Sequence, residues 1–139
     1  MSRRATPYPL AVCLAAGVFR VASATPPDQA VPARVTLRGQ VVCSNCWGEA
    51  DRKTTVYGTP ADMKCARLCA KNSVPAALAV DEKGASRLYL LEDGAFKREG
   101  TGWLSYIAKR VEITGAVREE RETSWLRVDT LRPLSGKER

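Results

Sequence analysis

Four cysteines constrain this chain more than any other feature: Cys43-x2-Cys46, eighteen intervening residues, then Cys65-x3-Cys69, in 139 residues that include no histidine. Two short thiol pairs can be joined by disulfides, gathered around a soft metal ion, or used for thiol exchange. The compartment bears on which chemistry applies, and the N-terminus predicts it. Arg3 and Arg4 precede an apolar stretch over residues 10–19, and Ala22-Ser23-Ala24 closes it with a small-x-small pattern. That order predicts an export signal over residues 1–24, and hence a periplasmic or secreted chain. The stretch is much shorter than the ~20 residues that cross a bilayer, so no retained anchor is expected. Cys13 follows Val12 rather than a small residue, and reads as a signal-peptide cysteine rather than a lipidation site.

The formal charge of +7 is partly a property of that signal. Removing Arg3, Arg4 and Arg20 leaves 19 basic against 15 acidic residues, or +4. Both signs alternate through the C-terminal half, which argues for a solvated surface and against nucleic acid as a partner. Residues 25–34, with Pro26, Pro27 and Pro32, read as a flexible leader. An OB-like domain is expected over 35–134 and a disordered tail over 135–139, with Pro133 outside the fold. The roughly 115 residues after the signal suit one small domain, for which crosslinks or a metal would add stability.

Val35, Leu37, Gly39, Val41 and Cys43 alternate with Thr36, Arg38, Gln40 and Val42. That period of two predicts a half-buried first strand with Cys43 on its inner face and a bend at Gly39. Ser44 and Asn45 form a turn that presents Cys46, and residues 49–58 read as a polar loop. Thr59-Pro60-Ala61-Asp62 predicts a helix start, with Thr as N-cap, Pro in the first turn and an acid at the third position. The helix should reach about Asn72, which is able to take a left-handed cap, with Pro75 beyond it. Ala61, Cys65, Leu68 and Cys69 share one predicted face, and Lys64, Arg67 and Lys71 form a neighbouring basic stripe. Residues 76–80 and 86–91 flank a hairpin turn at 81–84. Trp103, Leu104, Ile107 and Ala108 predict a short helix over 102–109. Two further strands follow, the first through Val111, Ile113, Gly115 and Val117 and the second through Leu126 and Val128, joined by a charged turn at 119–122.

The predicted fold is therefore mainly β with two helices: a small five-stranded OB-like barrel. The 102–109 helix falls between strands three and four, and the cysteine-bearing helix is inserted between strands one and two.

Cys65 and Cys69 lie one helical turn apart, with β-carbons about 5–6 Å from each other. A disulfide needs about 3.5–4.5 Å, so these two should converge on a third object instead. Three readings stay open. Cys43 and Cys46 bond crosswise to Cys65 and Cys69; or the four thiolates hold Zn²⁺ or Cu(I); or Cys43-Ser44-Asn45-Cys46 is a small redox ring. Asp62 is either a hard ligand beside the sulfurs or a cap for the helix dipole. Trp47, Trp103 and Trp125 are expected in core or rim packing. The absence of histidine removes the usual general base for a Ser or Cys nucleophile, and no phosphate-cradling loop is present, so no enzymatic activity is expected.

The chain resembles a group of small exported bacterial OB-fold-like proteins with no established task. The resemblance rests on Gly39-Gln40-Val41-Val42, Cys46-Trp47, Cys65-Ala66-Arg67-Leu68-Cys69-Ala70-Lys71, Pro75, Leu88-Tyr89-Leu90 and Thr114-Gly115. It covers residues 35–131. In that group an acidic residue often stands where this chain has Cys43, and a histidine where it has Asp62. The expected function is soft-metal binding by Cys43, Cys46, Cys65 and Cys69, with zinc or Cu(I) as the cofactor. The alternatives are a disulfide-crosslinked module that meets another envelope protein, and a thiol-disulfide exchange protein. A monomer is expected, without stable membrane insertion.

Overall fold

The structure, a computed structural model, describes residues 32–98 and 100–135. The export signal at 1–24, Cys13, most of the leader at 25–34 and the tail at 136–139 lie outside the described residues. The elements are β1 (Arg34–Cys43), α1 (Ser44–Trp47), α2 (Pro60–Lys71), β2 (Ala76–Glu82), β3 (Ala85–Asp93), β4 (Arg110–Glu120) and β5 (Thr123–Pro133), with a 3-10 turn at Gly102–Ser105. The five strands close into a barrel in the order β1-β2-β3-β5-β4. β3 and β5 pair in parallel and the other neighbours are antiparallel. This is the mainly β, OB-like arrangement expected from the strand periodicities, with the cysteine-bearing helix between β1 and β2.

The barrel interior collects the positions predicted from alternation. Val41, Leu78, Val111, Ile113, Leu126 and Val128 are fully buried, each contributing about 1.5–3 kcal/mol by leaving water. Val42, on the opposite face of β1, is fully buried as well. The reason lies in Gln40, two positions earlier on that face. Its side-chain amide donates to the carbonyls of Tyr57 and Ala108 at 3.3 and 2.9 Å. The loop before α2 is thereby held over the outside of β1.

Two glycines allow the strands to bend. Gln40 pairs with Ala79 of β2 and with Arg110 of β4, so β1 exchanges partners there. A β-carbon on the preceding Gly39 would stand 2.3 Å from the Ala79 carbonyl oxygen. On β4 the register shifts between Thr114 and Gly115, which leaves Asp129 of β5 as an extra residue. A β-carbon on Gly115 would stand 2.1 Å from the Arg127 carbonyl oxygen. Closed sheets turn corners at such bulges.

α2 starts as its sequence requires. The Thr59 hydroxyl accepts from the Asp62 N–H at 3.2 Å, and the Asp62 carboxylate accepts from the Thr59 N–H at 3.0 Å, a reciprocal capping box. The far end differs from expectation: Ser73, with φ 60°, takes the left-handed position rather than Asn72. The helix also buries Ala66 and Cys69, whereas Leu68 is 62% exposed. A helical wheel places Leu68 near the cysteines, yet the face that meets the barrel is centred on Cys65, Ala66 and Cys69.

Four local expectations are corrected by hydrogen bonding. The Ser44-Asn45 turn is a full helical turn, α1. The 81–84 hairpin turn is only Lys83-Gly84, both at positive φ, because Asp81 and Glu82 join the ladder opposite Ser86 and Ala85. The predicted helix over 102–109 stops at Ser105. Ala108, at φ 67°, donates its N–H to the Val41 carbonyl at 2.8 Å, and Val41 donates to Lys109 at 3.0 Å. The segment is recruited to extend the sheet beside β1, which no helix permits. Pro133 belongs to β5, paired with Val111, because the next bond of the ladder is made by the Leu134 N–H to the Arg110 carbonyl. Pro133 therefore stands where no donor is needed. Among the described residues no helix is long and apolar enough to cross a membrane.

Gly115→Ala is expected to lower stability by about 1–3 kcal/mol, since the new methyl meets backbone. Gly48→Ala, where no atom lies within 4 Å of the built β-carbon, should change it little. Urea unfolding midpoints compare the two, and equal midpoints would remove the close-approach argument.

Candidate metal centre

Cys43 is the last residue of β1 and pairs with Ala76, the first residue of β2. The chain leaves the sheet at Cys43, makes the single turn of α1, and so brings Cys46 back to the same end of the barrel. The Ser44 hydroxyl donates to the Pro75 carbonyl at 2.8 Å, joining the start of this insertion to its end. α2 then lays Cys65 and Cys69 beside α1. Cys43, Cys46 and Cys69 are buried in the core, and Cys65 is partly exposed.

Three of the four sulfurs form one group, and Cys65 adjoins it through Cys46 and Cys69. The Sγ atoms of Cys43, Cys46 and Cys69 all lie within 4.8 Å of one another. Cys46 Sγ is 3.8 Å from Cys69 Sγ, and Cys65 Sγ is 4.0 Å from Cys69 Sγ. Cys46 and Cys65 are joined in a disulfide, across a sequence separation of 19. Cys43 and Cys69 are buried free thiols. One of the two crosswise bonds of the disulfide reading is therefore present, and the bond binds α1 to α2. The small ring of Cys43 and Cys46 is not formed, because α1 carries Cys46 away towards Cys65. Burial pushes the Cys69 thiol above its ordinary pKa, and the adjacent Cys43 thiol adds to the shift.

The acid beside the sulfurs is not Asp62. A carboxylate oxygen of Glu49 lies within 4.8 Å of the Cys46 and Cys65 sulfurs, so the centre has a second, more exposed face where a carboxylate joins two sulfurs. Asp62 is occupied by the capping box and by Arg52, whose guanidinium lies 3.4 Å away. Burial raises the Asp62 carboxyl pKa, but the Thr59 hydroxyl, the Gly58 and Thr59 N–H groups and Arg52 together hold it below the ordinary carboxylate value.

Arg52 and Tyr57 were not singled out by their sequence positions, in a stretch that reads as polar loop. Both hold the centre in place. Arg52 donates to the Trp47 and Cys46 carbonyls at 2.9 Å each, which fixes the end of α1. Its guanidinium also lies over the Trp47 and Tyr57 rings, 5.3 and 5.0 Å from their centroids. The buried Tyr57 hydroxyl accepts from the Cys43 N–H at 2.9 Å. The only sequence signal for them was an Arg and a Tyr close after Trp47, a set suited to cation–π stacking. Lys64, Arg67 and Lys71 are exposed, as a basic stripe should be. Trp47 and Trp103 are partly buried against the core, whereas Trp125, also partly buried, stacks under the Arg118 guanidinium.

No protein-family model, curated protein or solved structure matches this chain.

The lowered Asp62 pKa sets a pH dependence. Its contribution to stability is present above the ordinary carboxylate pKa and is lost as pH falls through the lower folded value. Asp62→Asn should destabilise the chain at pH 7 and flatten the fall in stability on the acid side. Melting temperatures between pH 2 and pH 7 read this, and an Asn variant that keeps the full acid sensitivity would exclude Asp62 as its source.

Proposed function

We propose that this chain is an exported, non-enzymatic barrel domain whose four cysteines bind one soft metal ion, zinc or Cu(I), when reduced. The observation that carries the reading is the sulfur spacing. Four sulfurs about 2.3 Å from a central Zn²⁺ stand about 3.8 Å apart along the edges of a tetrahedron. The 3.8 and 4.0 Å separations of Cys69 from Cys46 and Cys65 lie close to that edge, and reduction would open the bonded Cys46–Cys65 pair towards it. Two ligands come from one turn of α2 and two from the β1–α1 junction, so both elements would orient the set. The reading includes a periplasmic or secreted location and a monomeric state.

The Cys46–Cys65 bond favours a second reading, a disulfide-tethered module that presents its barrel to an envelope protein. A link of this loop length stabilises by about 3 kcal/mol in the chain-entropy account. The two states exclude each other at the same atoms. Forming the bond takes two electrons and two protons from the Cys46 and Cys65 thiols, which a disulfide oxidant accepts, and it removes two of the four donors.

Native mass spectrometry of the anaerobically reduced chain should show one Zn²⁺ or Cu(I) per chain, with all four thiols shielded from alkylation. A reduced chain that holds no metal ends this reading. The Cys→Ser series separates the two states by unfolding. With metal bound, all four variants should lose comparable stability. In the oxidised chain, Cys46→Ser and Cys65→Ser should each lose about 3 kcal/mol, and Cys43→Ser distinctly less.

A further inference from the structure

A cleft of about 410 Å³ opens beside the sulfur centre, with Cys43 among its lining residues. Ala66 and Ala70 of α2 leave the space open, and Leu91, Trp103, Leu104 and Ile107 supply apolar wall. The volume falls within the ~300–1,000 Å³ of small-molecule sites. A second hollow of about 620 Å³ shares Ala70, Thr101 and Leu104 with the first, so the two are parts of one groove between α2 and the 101–107 segment.

The charges along this groove are unequally satisfied. Glu92 is engaged by Arg118 at 3.1 Å, and Asp93 by Arg98, which also lies over the Trp103 ring. Arg67 and Lys71 line the outer hollow, are exposed, and have no ion-pair partner among the described residues. They are four positions apart on α2 and therefore neighbours on one face. The groove thus has an apolar wall at Leu91, Trp103, Leu104 and Ile107, a polar edge at Glu92, Asp93 and Arg98 whose charges are paired, and a cationic mouth at Arg67 and Lys71 with no ion-pair partner among the described residues.

We propose that this groove binds a single-chain anionic amphiphile of the fatty-acid type. The acyl chain lies between α2 and the 103–107 wall and points towards Cys43, and the carboxylate meets Arg67 and Lys71. The inference shares only Cys43 with the metal reading and does not require a bound metal.

Decanoate, titrated into the full chain below its micellar concentration, should give saturable chemical-shift changes at Leu91, Leu104 and Ile107. Decanol should bind about fivefold to tenfold more weakly, the effect of two exposed ion pairs. The double variant Arg67→Glu/Lys71→Glu, whose sites lie on solvent, should weaken decanoate at least fivefold and leave decanol unchanged. In the reduced chain stripped of metal with a chelator, decanoate should slow alkylation of Cys43 by N-ethylmaleimide. Absence of saturable shifts, or equal binding of decanoate and decanol, would overturn the proposal. So would binding to phosphatidylglycerol vesicles without binding to monomeric decanoate, which would indicate attraction to an anionic surface instead.

Discussion

The insertion between β1 and β2 is governed by one closure. Cys43 and Ala76 stand opposite each other in the antiparallel ladder, so residues 44–75 leave and re-enter the sheet one strand spacing apart. Whatever that segment forms must fold back over the end of the barrel. Closing so long a loop costs entropy, and the Ser44 bond to Pro75 acts only at its base. The Cys46–Cys65 bond, the Arg52 contacts and the Tyr57 hydroxyl hold its middle. Sulfur chemistry is therefore placed where the fold most needs a tether, and a crosslink or a metal would meet the same structural need.

Arg52 is central to that arrangement. It is the only Lys or Arg among the described residues that is not exposed, with a side chain 10% accessible. A cation so enclosed requires acceptors, and it has two carbonyls, one carboxylate and two ring faces. Asp62 thereby joins two functions: it caps α2 and it neutralises the residue that fixes α1. The two helices bearing Cys46, Cys65 and Cys69 are coupled through polar contacts as well as through sulfur.

The barrel was legible because alternation on β1, β4 and β5 is strong, and because Thr59-Pro60-Ala61-Asp62 admits little besides a helix start. That both cysteine pairs come to the same end of the barrel followed from their spacing, although Cys43 and Cys65 do not share one group of sulfurs. What escaped was set by distant backbone. The helical pattern of 102–109 was overridden by the pairing of Val41 with Ala108 and Lys109. Pro133 entered a strand because its register there needs no donor. Leu68 was exposed because α2 is rotated so that Ala66 meets the barrel. Arg52, Tyr57 and Glu49 gave no periodic signal, since their roles depend on how a loop folds back and not on local pattern.

Charge distinguishes the candidate ions in the proposed metal state. Four thiolates around Zn²⁺ leave a net charge of −2, and around Cu(I) −3. Three of the four cysteines are buried, and excess charge in such a place is costly unless it is compensated nearby. Arg52, the one enclosed cation among the described residues, is already paired with Asp62. Lys64 and Arg67 are exposed and screened by solvent. The divalent ion leaves less charge uncompensated, so a four-thiolate centre at this position suits zinc. A monovalent ion would be better served by fewer thiolates, with the remaining sulfur protonated.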